Sequence, residues 1–348
     1  MTTPYLSLDG NIQSTTRALF LKSIKPQVIM QMPLLARLWM AKKVTWEGGT
    51  VIKQPVQKAT MASLLQPYIP TDGLNTGAKT LLDDPYFHWK YAQLPVQYNI
   101  EQHIQNGGSA DTAPVKLVPF LVKEAVRGMK IGLYRMIYGI DSTGTDYDHK
   151  KEFNSCVDAL THDRTYGHLA RSTTLDNDTY AAWWQGASIA ASFADQASAI
   201  PASIASFRKA MAAINTYDQG LPGGKLCCVG PTIFQALQSE VEARHIYNRD
   251  GSLLAKYGFN TLMLDGVEIV QDNFLTNAVQ TNAHKKFFIY TVDDWELRIH
   301  PERNINLTPF VWQGDRDGGR DEWLARVMIA GNLVCWKPNG SIYLTNMA

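Results

Sequence analysis

The chain carries little charge. Only 19% of its 348 residues are Asp, Glu, Lys or Arg, against about 25% in an ordinary soluble domain. The two signs nearly cancel, 33 basic against 32 acidic side chains, for a formal net charge of +1. With no basic excess and no long run of like charges, a tail-like nucleic-acid binder is excluded. Long apolar runs are missing as well. A membrane-spanning helix needs about 18 nearly uninterrupted apolar residues, and the richest stretch, Ala187 to Phe207, is broken by Asp195, Gln196 and Pro201. Met1 to Gln13 has no basic start followed by an apolar stretch, so no secretory signal is expected. Of the four cysteines, Cys156, Cys227, Cys228 and Cys335, none forms a C-x-x-C pair. Zinc and a disulfide framework are therefore not expected, and free buried thiols are.

Catalytic signatures are also absent. Gly48-Gly49, Gly107-Gly108 and Gly223-Gly224 read as turns, because no Gly-Lys-Ser/Thr follows to cradle a phosphate. Asp141-Ser142-Thr143-Gly144 resembles an aspartic-protease signature but has an extra residue and no second copy. Asp315-Arg316-Asp317-Gly318 with Asp321 lacks the ligand ladder and closing Glu of a calcium loop. His162-Asp163 and His168 lie near Cys156 without the local context of a cysteine nucleophile. No cofactor, metal or active site is expected. An unrecognised α+β enzyme using Cys156, His162 and Asp163 is the weakest of the readings considered.

What is present is a patterned succession of elements. Residues 1–43 read as an arm with a short helix opened by Pro33, since a proline's missing N–H has no partner to lose at the first helical position. Gly49–Ala59 and Tyr86–Ile100 alternate with period two and are expected to pair as a long hairpin with a long connection. An isolated two-stranded ribbon is marginal in water, so something else must cover it. From Pro114 or Pro119 to Tyr138 the period becomes helical. Val118, Val122, Ala125, Met129, Leu133 and Met136 form one stripe, and Lys116, Lys123, Arg127, Lys130 and Arg135 make a basic side. Gly139 is the expected stop. A loop-rich stretch leads to a helix opened by Pro201, a strand at Lys225–Val229 and a helix from Gly230-Pro231. Adjacent Cys227 and Cys228 should face opposite sides of their strand. Asp265-Gly266 marks a tight hairpin. Strands are expected at Phe287–Tyr290 and Trp295–His300, and a last apolar segment at Arg326–Lys337.

This order resembles that of the tailed-bacteriophage major capsid proteins of the Hong Kong 97 type, over nearly the whole chain. The residues carrying the resemblance are Pro33-Leu34-Leu35 with Gly48-Gly49-Thr50-Val51-Ile52, Phe87-His88-Trp89-Lys90 before Gln97-Tyr98-Asn99-Ile100-Glu101, and Thr165-Tyr166-Gly167 with Arg171 and Trp183-Trp184. Gly230-Pro231-Thr232-Ile233-Phe234-Gln235-Ala236-Leu237 and Tyr257-Gly258-Phe259 before Asp265-Gly266-Val267-Glu268-Ile269-Val270-Gln271-Asp272 complete the set. The resemblance implies an α+β fold divided into an N-terminal arm (1–43), an extended E-loop ribbon (44–105), a P-domain with a spine helix (106–140), an A-domain (141–293) and a return to the P-domain sheet (294–348).

It also implies a function. The chain would assemble as hexamers and pentamers into an icosahedral head enclosing double-stranded DNA, in the host bacterial cytoplasm, without a membrane. Its partners would be its own copies, a portal, and separate scaffolding or decoration proteins where these exist. Val51, Ile52, Phe87, Trp89 and Tyr91 of the ribbon would contact a neighbouring subunit. Arg17, Lys22, Lys25, Lys123, Arg127 and Lys130 would face the interior and touch DNA non-specifically. Ribbon lysines Lys53, Lys58 and Lys79 are available for the inter-subunit crosslink some members form, but no Asn or activating acid is identified, so a crosslink is not expected. The alternative is an encapsulin-like compartment of the same fold holding a protein cargo. The low charge fraction fits either shell, since both bury the subunit's edges against its neighbours.

Overall fold

A computed structural model describes residues 32–46, 49–58, 61–74, 76–105, 117–139, 150–161, 165–169, 171, 174–175, 178–179, 183–187, 200–215, 224–243, 260–276, 283–313, 321–344 and 347. In chain order its elements are α1 (Pro33–Met40), β1 (Val44–Trp46), β2 (Ile52–Lys53), β3 (Val56–Gln57), β4 (Leu82–Asp83), β5 (Tyr86–Phe87), β6 (Lys90–Asn99), α2 (Ile100–Gln105) and α3 (Leu117–Ile137). There follow α4 (Cys156–Leu160), β7 (Thr174–Leu175), β8 (Asp178–Thr179), α5 (Ile204–Asn215), β9 (Lys225–Val229), α6 (Pro231–Ala243), β10 (Thr261–Leu264) and β11 (Val267–Gln271). The last are β12 (Phe287–Thr291), β13 (Trp295–Ile299), β14 (Asn306–Leu307), β15 (Val311–Trp312), β16 (Glu322–Cys335) and β17 (Ile342–Leu344).

Two sheets organise these elements. The first is built on β16. Its antiparallel partners β13, β14 and β15 run in turn along it, and β1 extends the sheet by pairing parallel to β13. Leu324 pairs with both Val311 of β15 and Gln97 of β6, so β6 must lie on the opposite edge of β16. Pro95 sits in the middle of β6. Having no N–H, it is tolerated where the strand's outer side carries no ladder, and among the described residues β6 pairs only with β16. Helix α3 lies across this sheet. Its stripe residues Ala125, Met129, Leu133 and Met136 are buried, and Gly128 lets the side chain of Leu94 come close. The helix ends where expected, at Gly139, whose φ of 68° closes the last turn.

The second sheet has the order β10-β11-β9-β12-β17. The β10–β11 hairpin turns at Asp265 and Gly266, with φ of 49° and 79°, the positive angles a tight Asp-Gly turn requires. Strand β9 is buried throughout because both faces are covered. Cys227 and Val229 face the cluster made with Phe207, Phe234 and Leu237 of α5 and α6, whereas Leu226 and Cys228 face the cluster containing α3. The two adjacent cysteines thus do point to opposite sides.

One strand expectation is corrected. Tyr86–Ile100 does not run as a single arm of a long hairpin with Gly49–Ala59. Only β5 and β4 pair back onto β2 and β3, through Ile52↔Phe87 and Val56↔Asp83, and β6 crosses to β16. Period two shows that a strand has two faces but does not show which strand it pairs with. β6 finds ten partners on β16, far more ladder than β2 and β3 could supply.

Candidate assembly surface

The ribbon formed by β2–β5 runs on into β6 of the first sheet, and its root is fastened by aromatic packing. Phe87 is buried between the rings of Tyr166 and Trp336, with centroids 4.9 and 5.7 Å away. Tyr166 in turn accepts from the backbone of Cys335 in β16, and its carbonyl accepts from Trp184 Nε1 at 2.8 Å. Gly167 lies directly against this joint. Its φ is +57°, and a Cβ there would come within 2.9 Å of Phe87 Cζ and 3.0 Å of Pro85 Cβ. Gly167→Ala is therefore expected to destabilise the chain by about 1–3 kcal/mol and to raise protease sensitivity at the ribbon root. An unchanged melting curve and cleavage pattern would show that the joint tolerates the methyl group.

Two buried polar networks stand out, the first of them against Tyr166 of this root. Arg171 is sealed from solvent. Its Nε donates to Trp184 O at 2.6 Å, Nη1 to Asp158 O at 2.7 Å and also to Thr161 O, and Nη2 to Ala159 O at 2.6 Å. Three of these carbonyls belong to the last turn and cap of α4, where a helix leaves carbonyls without intrahelical partners. The guanidinium also lies 5.1 Å from the Tyr166 ring centroid. Asp272, which follows β11, is equally buried. Its Oδ2 accepts from Tyr134 and Tyr138 of α3 at 2.6 and 2.7 Å, and its Oδ1 from the Phe274 N–H at 2.9 Å. Burial outweighs these bonds and pushes its carboxyl up to about 6. Tyr134 also accepts from the Leu34 N–H, which ties α1 to the same point.

Beyond the root the ribbon is open. Met61, Leu65, Tyr68, Ile69, Leu74 and Leu82 are all at least 60% exposed, Leu65 reaching 83%. The tip has its own order. Asp72 N–H donates to Ile69 O at 2.9 Å while the Asp72 carboxylate accepts from the Ile69 N–H at 3.0 Å, closing a turn through Pro70. Lys53 and Asp84 pair across the ribbon at 2.9 Å. An exposed pair of this kind adds little stability.

The five ribbon residues chosen as inter-subunit contacts separate into two groups. Ile52 and Phe87 are corrected: they face each other across β2 and β5 and are buried within their own chain. Trp89 is half-buried. Its indole N–H donates to Gly49 O at 2.8 Å, and its ring meets His300 edge-on. Val51 and Tyr91 remain exposed, Tyr91 at 64%. Of the basic residues, Arg17, Lys22 and Lys25 lie outside the described residues. Lys123 and Lys130 are exposed on α3, and Arg127 is half-buried beside Glu124, 3.6 Å away. The sequence reading missed Arg171 and Asp272 as anchors. A pair of tyrosines four apart on α3, facing a lone Asp after an apolar strand, was the available signal for the second.

Cys156 is buried and its thiol is pushed far up by burial, the reverse of an activated nucleophile. His162 and Asp163 lie outside the described residues, as does the loop 314–320. Among the described residues no group of three His, Cys, Asp or Glu side chains could hold a metal ion, and no helix is long and apolar enough to cross a membrane.

No family model and no curated protein sequence matches the chain. Solved structures do. The cyanophage A-1(L) capsid asymmetric unit aligns over 95% of this chain and 98% of its own, with a TM-score of 0.62 at 13% identity. The cyanophage Pam1 capsid asymmetric unit covers 94% and 96%, with a TM-score of 0.54 at 11% identity. The capsid of Myoviridae phage XM1 covers 94% and 96%, with a TM-score of 0.52 at 12% identity. From α1 to β17, the chain has the α+β fold of these tailed-phage capsid subunits, the fold its sequence resemblance implied.

Proposed function

We propose that this protein is the shell-forming subunit of a phage head, assembling as hexamers and pentamers around double-stranded DNA. The observation that carries the reading is the ribbon, with six large apolar side chains in the open, on a fold shared with capsid subunits. Exposed apolar patches on this scale mark interaction sites. A ribbon seated on a different surface of the next copy makes a heterologous contact, the kind that generates rings. Lys123 and Lys130, exposed on α3, are the candidates for non-specific contact with packaged DNA, and portal, scaffolding and decoration proteins would meet the assembled shell.

Electron microscopy of the purified chain, expressed alone and with a scaffolding protein, tests the proposal. Closed shells or capsomers are expected, and persistent monomers under both conditions would overturn it. Nuclease-protected DNA inside particles would distinguish a head from a cargo compartment. Leu65→Glu and Tyr91→Glu should abolish or strongly reduce particle yield while leaving the urea midpoint of the dispersed subunit unchanged, because neither side chain is buried in its own chain. A parallel loss of subunit stability would instead give these residues an intramolecular role.

A further inference from the structure

One exposed ion pair is built with more geometry than its contribution to folding explains. Arg208 of α5 grips Asp265 at the turn of the β10–β11 hairpin, 57 residues away in sequence. Its Nε donates to Oδ2 at 2.8 Å and its Nη2 to Oδ1 at 3.2 Å. Both carboxylate oxygens are thus taken by one planar fork. The two side chains are 52% and 43% exposed, and pairs so open to solvent add little stability.

The next residue gives the fork a chemical consequence. Gly266 is exposed and has no side chain to shield its amide nitrogen. In an Asp-Gly pair that nitrogen can attack the aspartate carboxyl carbon. A C–N bond forms, a C–O bond breaks, and the amide proton and the carboxyl hydroxyl leave together as water, closing a succinimide ring. Water then reopens the ring. Opening at the side-chain carbonyl restores aspartate. Opening at the main-chain carbonyl leaves isoaspartate, which adds one backbone carbon to a two-residue turn. No oxidant or cofactor takes part, and the mass is unchanged.

The fold bears directly on this step. Helix α5 is anchored by buried Phe207, Ala210 and Met211, so the guanidinium is presented from a fixed base. Attack requires the carboxyl to swing towards Gly266 and one of its oxygens to leave, and the fork opposes both. Asn339-Gly340, a second labile pair, is protected in another way. Gly340 is buried, and its N–H donates to Lys337 O at 3.1 Å. The carboxylate of Asp72, before Gly73, is held by the Ile69 N–H at 3.0 Å instead of by a fork.

We propose that Asp265-Gly266 is an isoaspartate-forming site and that Arg208 is the positioning residue that keeps it closed. The pair protects the covalent backbone of the hairpin more than it stabilises the fold. This holds for the single chain and does not depend on its assembly.

The test uses the full chain, unmodified and as Arg208→Gln and Arg208→Lys, incubated for weeks at physiological temperature and pH. Peptide mapping with electron-transfer fragmentation separates isoaspartate from aspartate of equal mass at each Asp-Gly pair. Arg208→Gln should raise the rate at Asp265 several-fold and leave the rate at Asp72 unchanged. Arg208→Lys should fall between, since an ammonium is a point charge without the planar fork. In urea all three chains should isomerise at Asp265 at one rate, because the fork exists only in the fold. Equal rates at Asp265 in the folded unmodified and Arg208→Gln chains would overturn the proposal. So would an equal rise at Asp72 and Asp265, which would mark a general loosening of the fold.

Discussion

Arg171→Met is expected to cost the isolated chain about 1–3 kcal/mol for each buried carbonyl left without its partner, read from urea unfolding, because it removes the guanidinium that donates to the carbonyls of Asp158, Ala159, Thr161 and Trp184. Methionine fills much of the same volume, so lost packing contributes little to the effect. What is lost is the fork that gathers Asp158, Ala159 and Thr161 at the end of α4 and joins them to Trp184. Arg171→Lys should fare only slightly better. An ammonium keeps the charge but is a compact donor that cannot reach in three directions within one plane. The damage should spread to the ribbon, since Trp184 donates to Tyr166 and Tyr166 packs on Phe87. An unfolding midpoint equal to that of the unmodified subunit would show that the four carbonyls find other partners.

Asp272→Ala should be comparably severe. It leaves the hydroxyls of Tyr134 and Tyr138 and the Phe274 N–H without their acceptor, at about 1–3 kcal/mol for each buried group left unsatisfied. The carboxyl also imposes a pH dependence whose sign is fixed. Its pKa in the fold is about 6, above the ordinary 3.8, so the native state holds the proton more tightly than the unfolded chain does. The resulting stabilisation is complete below pH 3.8 and is lost as pH rises through 6, with a span of roughly 3 kcal/mol. Referenced to Asp272→Asn, which cannot titrate, the unmodified subunit should gain stability on acidification from pH 7 to pH 4. A difference that stays flat across this range would mean that the carboxyl is not sealed.

Local patterns in the chain carried much of the fold. The stripe from Val118 to Met136 predicts α3, Asp265-Gly266 predicts its hairpin, and the adjacent cysteines predict a strand covered on both faces. These features depend on neighbours within a few residues. The partner of β6 does not. Alternation between Tyr86 and Ile100 is equally compatible with the nearby Gly49–Ala59 and with Glu322–Cys335, and only the longer ladder decides. The same limit explains Ile52 and Phe87. An apolar residue in a ribbon reads as sticky, and whether it meets its own chain or another depends on Tyr166 and Trp336, which come from two distant segments. Arg171 and Asp272 carry the resemblance, but their anchoring roles were hidden, because a buried charge is recognised by the groups around it, and those groups are scattered through the sequence.

The pairing of β6 with β16 has a consequence for synthesis. Lys90 pairs with Gly331, so 331 − 90 = 241 residues separate the partners. At about 5–20 residues per second on the ribosome, β6 waits roughly 10 to 50 s for its mate. Phe87 waits as long for Trp336. Throughout that interval a nascent chain holds a ribbon whose root has Tyr166 but lacks Trp336 and the β16 ladder. Chains that stall before β16 emerges remain in this condition, and translation itself therefore separates incomplete chains, whose β6 is unpaired, from complete ones.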